Sequence, residues 1–175
     1  QIPAGSTLVI LPGTQIFVMG DYNIQNYGTL ICKGTSSAFV HFKKENALGT
    51  WQGIRSFKNA DSIYLSNTII EDATTGISIN STKTPPIVGK CVVRKSATAL
   101  QISASAGVFH IRNNVFEGTV GRGEHLISIA ATDSPSDSFT CEFSNNIMIN
   151  SSYGFVEHRD STGGRFHVVL NNNCM

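Results

Sequence analysis

One short phrase recurs along the chain: Ser66-Asn67-Thr68-Ile69-Ile70, Gly89-Lys90-Cys91-Val92-Val93, Arg112-Asn113-Asn114-Val115-Phe116, Ser144-Asn145-Asn146-Ile147-Met148 and Leu170-Asn171-Asn172-Asn173-Cys174. Each time a polar pair follows an alternating apolar run. The steps from Asn67 to Lys90, Asn113, Asn145 and Asn171 are 23, 23, 32 and 26 residues. A period in the twenties with strand alternation marks a solenoid, in which a repeat buries its apolar face only by stacking on its neighbours.

Aligned on the polar pair, Leu65, Val88, Ile111, Phe143 and Val169 form one column, apolar throughout, as an inward column must be. Two residues earlier come Ile63, Pro86, Phe109, Cys141 and His167, apolar until the last coil. Tyr64, Ile87, His110, Glu142 and Val168 lie between them, a mixed set that reads as outward. A second strand follows each turn at Gly76-Ile77-Ser78-Ile79, Ala99-Leu100-Gln101-Ile102 and Leu126-Ile127-Ser128-Ile129, with Gly154-Phe155-Val156-Glu157 in the same place. Clusters of Gly, Ser, Thr and Asn separate the strands, and no segment has a helical period.

The polar pair itself defines two columns. Asn67, Lys90, Asn113, Asn145 and Asn171 face water, since one of them is a lysine. Thr68, Cys91, Asn114, Asn146 and Asn172 are all small, and the spacing predicts that they turn inward as a partial ladder. Side-chain amides there bond to the coils above and below, which satisfies groups otherwise buried without partners. A polar binding stripe is the other reading of this column.

Charge narrows the partners. Charged residues make up 14% of the 175 and the formal net charge is +1, with no Lys/Arg run. Nucleic acid and anionic membrane surfaces are therefore poor partners. No apolar run approaches the roughly 18 residues of a membrane-spanning helix. Cys32, Cys91, Cys141 and Cys174 lack metal-like spacing. Three coils separate Cys91 from Cys174, about 14 Å at strand spacing, beyond the roughly 7 Å limit for a disulfide. Four separate thiols are expected.

The first stretch carries a different phrase. The run Ile2-Pro3-Ala4-Gly5-Ser6-Thr7-Leu8-Val9-Ile10, then Tyr27-Gly28-Thr29-Leu30, Val40-His41-Phe42 and Trp51-Gln52-Gly53-Ile54, leads into Leu65-Ser66-Asn67-Thr68-Ile69-Ile70-Glu71. It resembles secreted bacterial surface proteins of the pectin-lyase-like right-handed parallel β-helix class. The resemblance implies an all-β, three-sided solenoid of about seven coils, an extracellular or cell-surface location and, in most such proteins, no known activity. One domain over 1–175 is expected, with 1–60 as opening coils and 61–175 as the Asn-pair repeat. Both ends read as uncapped cuts through a coil.

Polysaccharide cleavage is the activity best known on that fold, through clustered aspartates or an acidic calcium site. Asp21, Asp61, Asp72, Asp133, Asp137 and Asp160 are scattered, and those catalytic patterns have no match. One acidic constellation remains: Glu71, Arg94 and Glu117 stack in one column, with Asp72 and Lys95 beside the first two. The two glutamates, two coils apart, are separated by about 9–10 Å, at the edge of the roughly 6.5–9.5 Å of inverting glycosidases. Arg94 between them holds both ionised, so an acid–base–acid ladder on the surface is the expectation. His110 stacks on Glu142, with Tyr64 on its other side after a skipped coil, but no nucleophile accompanies them.

Trp51, Tyr22, Tyr27 and Tyr153 are the aromatic groups that can platform a sugar, although Trp51 lies in a phrase that suits packing. The five histidines occupy different columns, so no metal is implied, and no cofactor. Asn80-Ser81-Thr82 and Asn150-Ser151-Ser152 are N-glycosylation acceptor patterns. Longer loops at 80–86, 103–107, 131–138 and 159–164 emerge along one edge. The chain therefore reads first as a non-catalytic structural, adhesive or fibre-forming module that stacks end to end on itself or a neighbouring β-helix. A glycan-binding module using Trp51, Tyr64, His110 and Tyr153 is the second reading, and a polysaccharide hydrolase or lyase the third.

Overall fold

The computed structural model describes residues 1–45, 51–104, 106–119, 125–131, 138–151, 156–160 and 165–174. Its strands wind in coils of three. The first coil carries β1 (Thr7–Ile10), β2 (Gln15–Val18) and β3 (Asn23–Asn26), and the second β4 (Thr29–Lys33), β5 (Val40–Lys44) and β6 (Gly53–Ser56). The third holds β7 (Ser62–Ser66), β8 (Thr68–Glu71) and β9 (Thr75–Asn80). The fourth holds β10 (Ile87–Gly89), β11 (Val92–Ser96) and β12 (Thr98–Ala104). Next come β13 (Gly107–Arg112), β14 (Val115–Gly118) and β15 (Ile127–Ala131), then β16 (Ser138–Ser144), β17 (Ile147–Ile149) and β18 (Val156–Asp160). A seventh coil opens with β19 (Arg165–Asn171).

Each position in the coil contributes to its own sheet. The first is seven-stranded, β1-β4-β7-β10-β13-β16-β19; the second runs from β2 to β17 and the third from β3 to β18, six strands each. Every pairing joins successive coils in parallel. This is a right-handed parallel β-helix. The sequence alternation resolves two strands per repeat; the middle strand, three to five residues long, hides inside the recurring phrase.

The corner after each first-sheet strand from β7 onward explains why that phrase recurs. Asn67, Lys90, Asn113, Asn145 and Asn172 all adopt left-handed backbone, with φ between 45° and 60°. The chain must turn there in one residue, and asparagine enters this conformation more readily than other side chains. A second left-handed column, Asp72, Lys95 and Asn150, turns the chain from the second sheet toward the third.

Inside, Cys32, Leu65, Val88, Ile111 and Phe143 stack in register with no exposed surface. The last coil departs from expectation by one residue. Phe143 pairs with Leu170 rather than Val169, Cys141 with Val168 rather than His167, and Ser144 with Asn171. Three consecutive asparagines allow two frames, and the left-handed residue decides between them: Asn172 turns the corner. The shifted frame keeps apolar Val168 and Leu170 in the inward columns and leaves His167 exposed.

Several glycines are obligatory by close approach, Gly53 and Gly34 most tightly. A Cβ on Gly53 (φ 90°) would collide with the carbonyl oxygen of Thr75 in the next coil, and one on Gly34 with the carbonyl of Asn67. Residues ahead of β1 are fastened laterally. Ile2 bridges Asn26, and Asp61 accepts from the Gly5 N–H at 2.7 Å and pairs with Lys83 Nζ at 2.6 Å.

Candidate functional site

The inward polar column is a hydrogen-bonded ladder, and its last rung is Asn173, not Asn172. Asn114 Oδ1 accepts from Cys91 N at 2.9 Å, Asn146 Oδ1 from Asn114 N at 2.9 Å, and Asn173 Oδ1 from Asn146 N at 3.0 Å. The amide groups also bond one another. Asn114 Nδ2 donates to Asn146 Oδ1, and Asn146 Nδ2 to Asn173 Oδ1, each at 2.9 Å. Each Nδ2 further donates to a carbonyl of the preceding coil, Val88, Ile111 or Phe143. Thr68 and Cys91 continue the column and are equally buried, but their side chains bond locally, to Ser66 O and Gly89 O.

The acidic column is built differently from the sequence expectation. Glu71 is not on the surface: its side chain is only 4% exposed, sandwiched between Arg94 Nε and His41 Nε2, the latter at 2.5 Å. Burial pushes its carboxyl up, yet the hydrogen bonds from Arg94 and His41 outweigh that and hold it below the usual glutamate range. Glu117 instead accepts from Asn150 Nδ2 at 3.3 Å. Arg94 thus serves Glu71, and the third member sequence reasoning missed is His41, which sits one coil earlier, outside the Asn-pair repeat.

On the outer face of the first sheet, His110 Nδ1 lies 2.9 Å from Glu142 Oε2, and Arg112 Nη2 reaches the same oxygen at 2.5 Å. Arg112 and then His110 hold the Glu142 carboxyl below its usual range. Tyr64 lies two coils away on the same column, with Ile87 between. Trp51 is 1% exposed and stacks on Phe42 at a centroid distance of 6.4 Å, so it is core and offers no platform. Tyr153 lies outside the described residues. Trp51, Tyr64 and His110 therefore do not converge on one site. Asn80 is half-buried at the end of β9, and Asn150 is exposed at the left-handed corner.

A shallow polar depression of about 130 Å³ opens elsewhere, on the outer face of the third sheet. Asn23, Gln52, Arg55, Thr75, Ser78 and Gln101 line it. Ser78 Oγ donates to Gln101 Oε1 at 3.3 Å. Arg55 lies 4.9 Å above the Phe57 ring, which stacks on Tyr27 at 4.5 Å. Amides, hydroxyls and a guanidinium without a lining carboxylate can hydrogen-bond a hydroxyl-rich ligand but supply no acid–base pair. Extending the repeat register to β6, β9 and β12 would have found the outward column Arg55, Ser78 and Gln101.

All four cysteines are free thiols. Burial pushes those of Cys32, Cys91 and Cys141 up to about 12, while Cys174 is exposed. Cys174 pairs with Ile147, one column beyond Cys91. Among the described residues no three His, Cys, Asp or Glu side chains gather as metal ligands, and no helix is long and apolar enough to cross a membrane. Comparison with protein-family models, curated proteins and solved structures finds no match.

Proposed function

We propose that this chain is a non-catalytic structural or adhesive β-solenoid of the pectin-lyase-like class, exported to the cell surface or beyond, whose end coils receive further β-strands. The observation that carries the reading is where exposed apolar groups lie. Leu8, Val9, Leu11, Phe17, Met19 and Tyr22 all belong to the first coil or its turns, with Met19 69% exposed. Ile147, Ile149, Val169 and Leu170 belong to the last two, and among the described residues Tyr64 and Ile87, at 37% and 39%, are the exceptions in mid-stack. Strands with one free edge and apolar flanks are templates for pairing. The carboxylates argue the same way, since Glu71 and Glu142 are each saturated by two basic groups. Negative-stain microscopy and light scattering across a concentration series test it. End-linked particles support the proposal; a monomer at every concentration refutes it.

The polar depression favours a second reading, a glycan-binding face. A glycan array run with Arg55→Ala and Gln101→Ala tests this. Binding lost in both variants supports it, and absence of any hit for the parent chain rejects it.

A further inference from the structure

We propose that the depression on the third sheet takes glycans carrying a sulfate or phosphate ester, with Arg55 seating the ester and Ser78 and Gln101 holding hydroxyls beside it. The inference rests on the reading of that face as glycan-binding. Its frame is regular. Ile54, Ile77 and Leu100 pair in register and are wholly buried, so the pleat turns their neighbours Arg55, Ser78 and Gln101 outward in one column. Arg55 and Gln101, two coils apart, stand about 9–10 Å from each other, with Ser78 between.

The charge at one end of that column is unspent. Among the described side chains, Arg94 pairs with Glu71 and Arg112 with Glu142, whereas Arg55 has no carboxylate in reach. It is held instead by its flat face, 4.9 Å above the Phe57 ring, which Tyr27 backs at 4.5 Å. Stacking of this kind fixes a guanidinium without using its in-plane N–H donors. The remaining lining adds donors around it. Ser78 Oγ donates to Gln101 Oε1, which leaves the Gln101 Nε2 hydrogens to a ligand. Asn23 and Gln52 bring two further amides from the first and second coils.

That donor set selects the shape of the anion. A carboxylate is planar, and the guanidinium fork alone satisfies its two oxygens. A sulfate or phosphate ester presents its oxygens in three directions and engages the fork and the flanking amides together. Uncharged hydroxyls suit the other end of the column, where amide and hydroxyl groups both donate and accept.

Dextran, carboxymethyl-dextran, dextran sulfate and dextran phosphate share one backbone and differ only in substituent. Biolayer interferometry on the four, in about 0.15 M salt, tests the proposal. At least one ester should bind about tenfold or more tighter than dextran and carboxymethyl-dextran, and the ester that does so names the source. Arg55→Ala should abolish that preference, and Arg55→Lys should restore only part of it, since lysine keeps the charge without the fork. Gln101→Ala should weaken ester and dextran by the same factor. Lys33→Ala, at an exposed position on the first sheet, should change nothing. Circular dichroism checks that each variant is folded. Dextran bound as tightly as both esters overturns the inference and leaves the glycan-binding face standing. Carboxymethyl-dextran bound as tightly as the esters overturns it too. So does a loss in Lys33→Ala equal to that in Arg55→Ala, the mark of diffuse attraction to polyanions. Failure of all four to bind also overturns it, and the glycan array with the parent chain then decides whether the glycan-binding reading falls as well.

Discussion

Replacing Asn146 by alanine tests the ladder most directly. Asn146 is 1% exposed and its side chain makes four hydrogen bonds, accepting from Asn114 N and Nδ2 and donating to Ile111 O and Asn173 Oδ1. Asn114 Nδ2 keeps Val88 O, and Asn173 Oδ1 keeps Asn146 N, so two of the four partners are only half deprived. The buried Asn114 N–H loses its acceptor outright, and Ile111 O loses its side-chain donor. Each such group costs about 1–3 kcal/mol, so Asn146→Ala should destabilise by about 4 kcal/mol. Against the 5–15 kcal/mol of a typical domain that is severe. Asn145→Ala, one residue earlier, loses only the asparagine's ease in left-handed backbone, about 1 kcal/mol. Urea unfolding followed by circular dichroism measures both, and hydrogen exchange adds whether the last coils open first. Equal losses for the two variants would refute the assignment of one column to turning and the other to bonding.

Four further outcomes follow from the same geometry. Gly53→Ala should prevent the third sheet from closing, read as loss of soluble folded protein, because both φ and the Thr75 carbonyl forbid the methyl. Trp51→Ala should cost about 3–5 kcal/mol as a core deletion, measured by thermal unfolding, with any glycan binding retained at matched folded fraction. Ellman's reagent should find one reactive thiol in the native chain at pH 8 and four in denaturant, since three are buried with values near 12. Asp61, Glu71 and Glu142 are all held below their ordinary range. Their contribution is therefore complete above the unfolded carboxylate range and lost as pH falls through the lowered folded values. The melting temperature should stay level from pH 7 to about 5 and drop below about 4, with a shallower drop in Asp61→Asn.

Much of the fold was legible because stacking imposes one rule on every coil. Leu65, Ile111 and Phe143 are inward in the structure as their column demands. The frame slipped only where the rule is degenerate: Asn171, Asn172 and Asn173 satisfy the polar pair in either of two phases, and only backbone conformation separates them. Candidate sites were less legible, because outward residues obey no such rule. His41 entered the Glu71 cluster from a coil that lacks the Asn-pair phrase, so no column drawn from that phrase contained it. Trp51 was chemically a fair sugar platform, and its burial depends on Phe42 and the coil around it rather than on its own phrase.

The arrangement of carboxylates bears on the choice between catalysis and assembly. A glycosidase needs one acid kept protonated and one base kept free, in environments that push the two apart. Here the described acidic clusters push in one direction only. Lys83 and the Gly5 N–H serve Asp61, Arg94 and His41 serve Glu71, and Arg112 and His110 serve Glu142. In each case the base sits one coil or more away from the acid, so the ion pair ties adjacent coils together instead of facing a cleft. Charges spent in that way fix the phase of stacking, as like-charge opposition in any other phase would be unfavourable. That division of labour fits the proposed reading, in which the outer surface meets other polypeptide or glycan while the acids keep the coils in step.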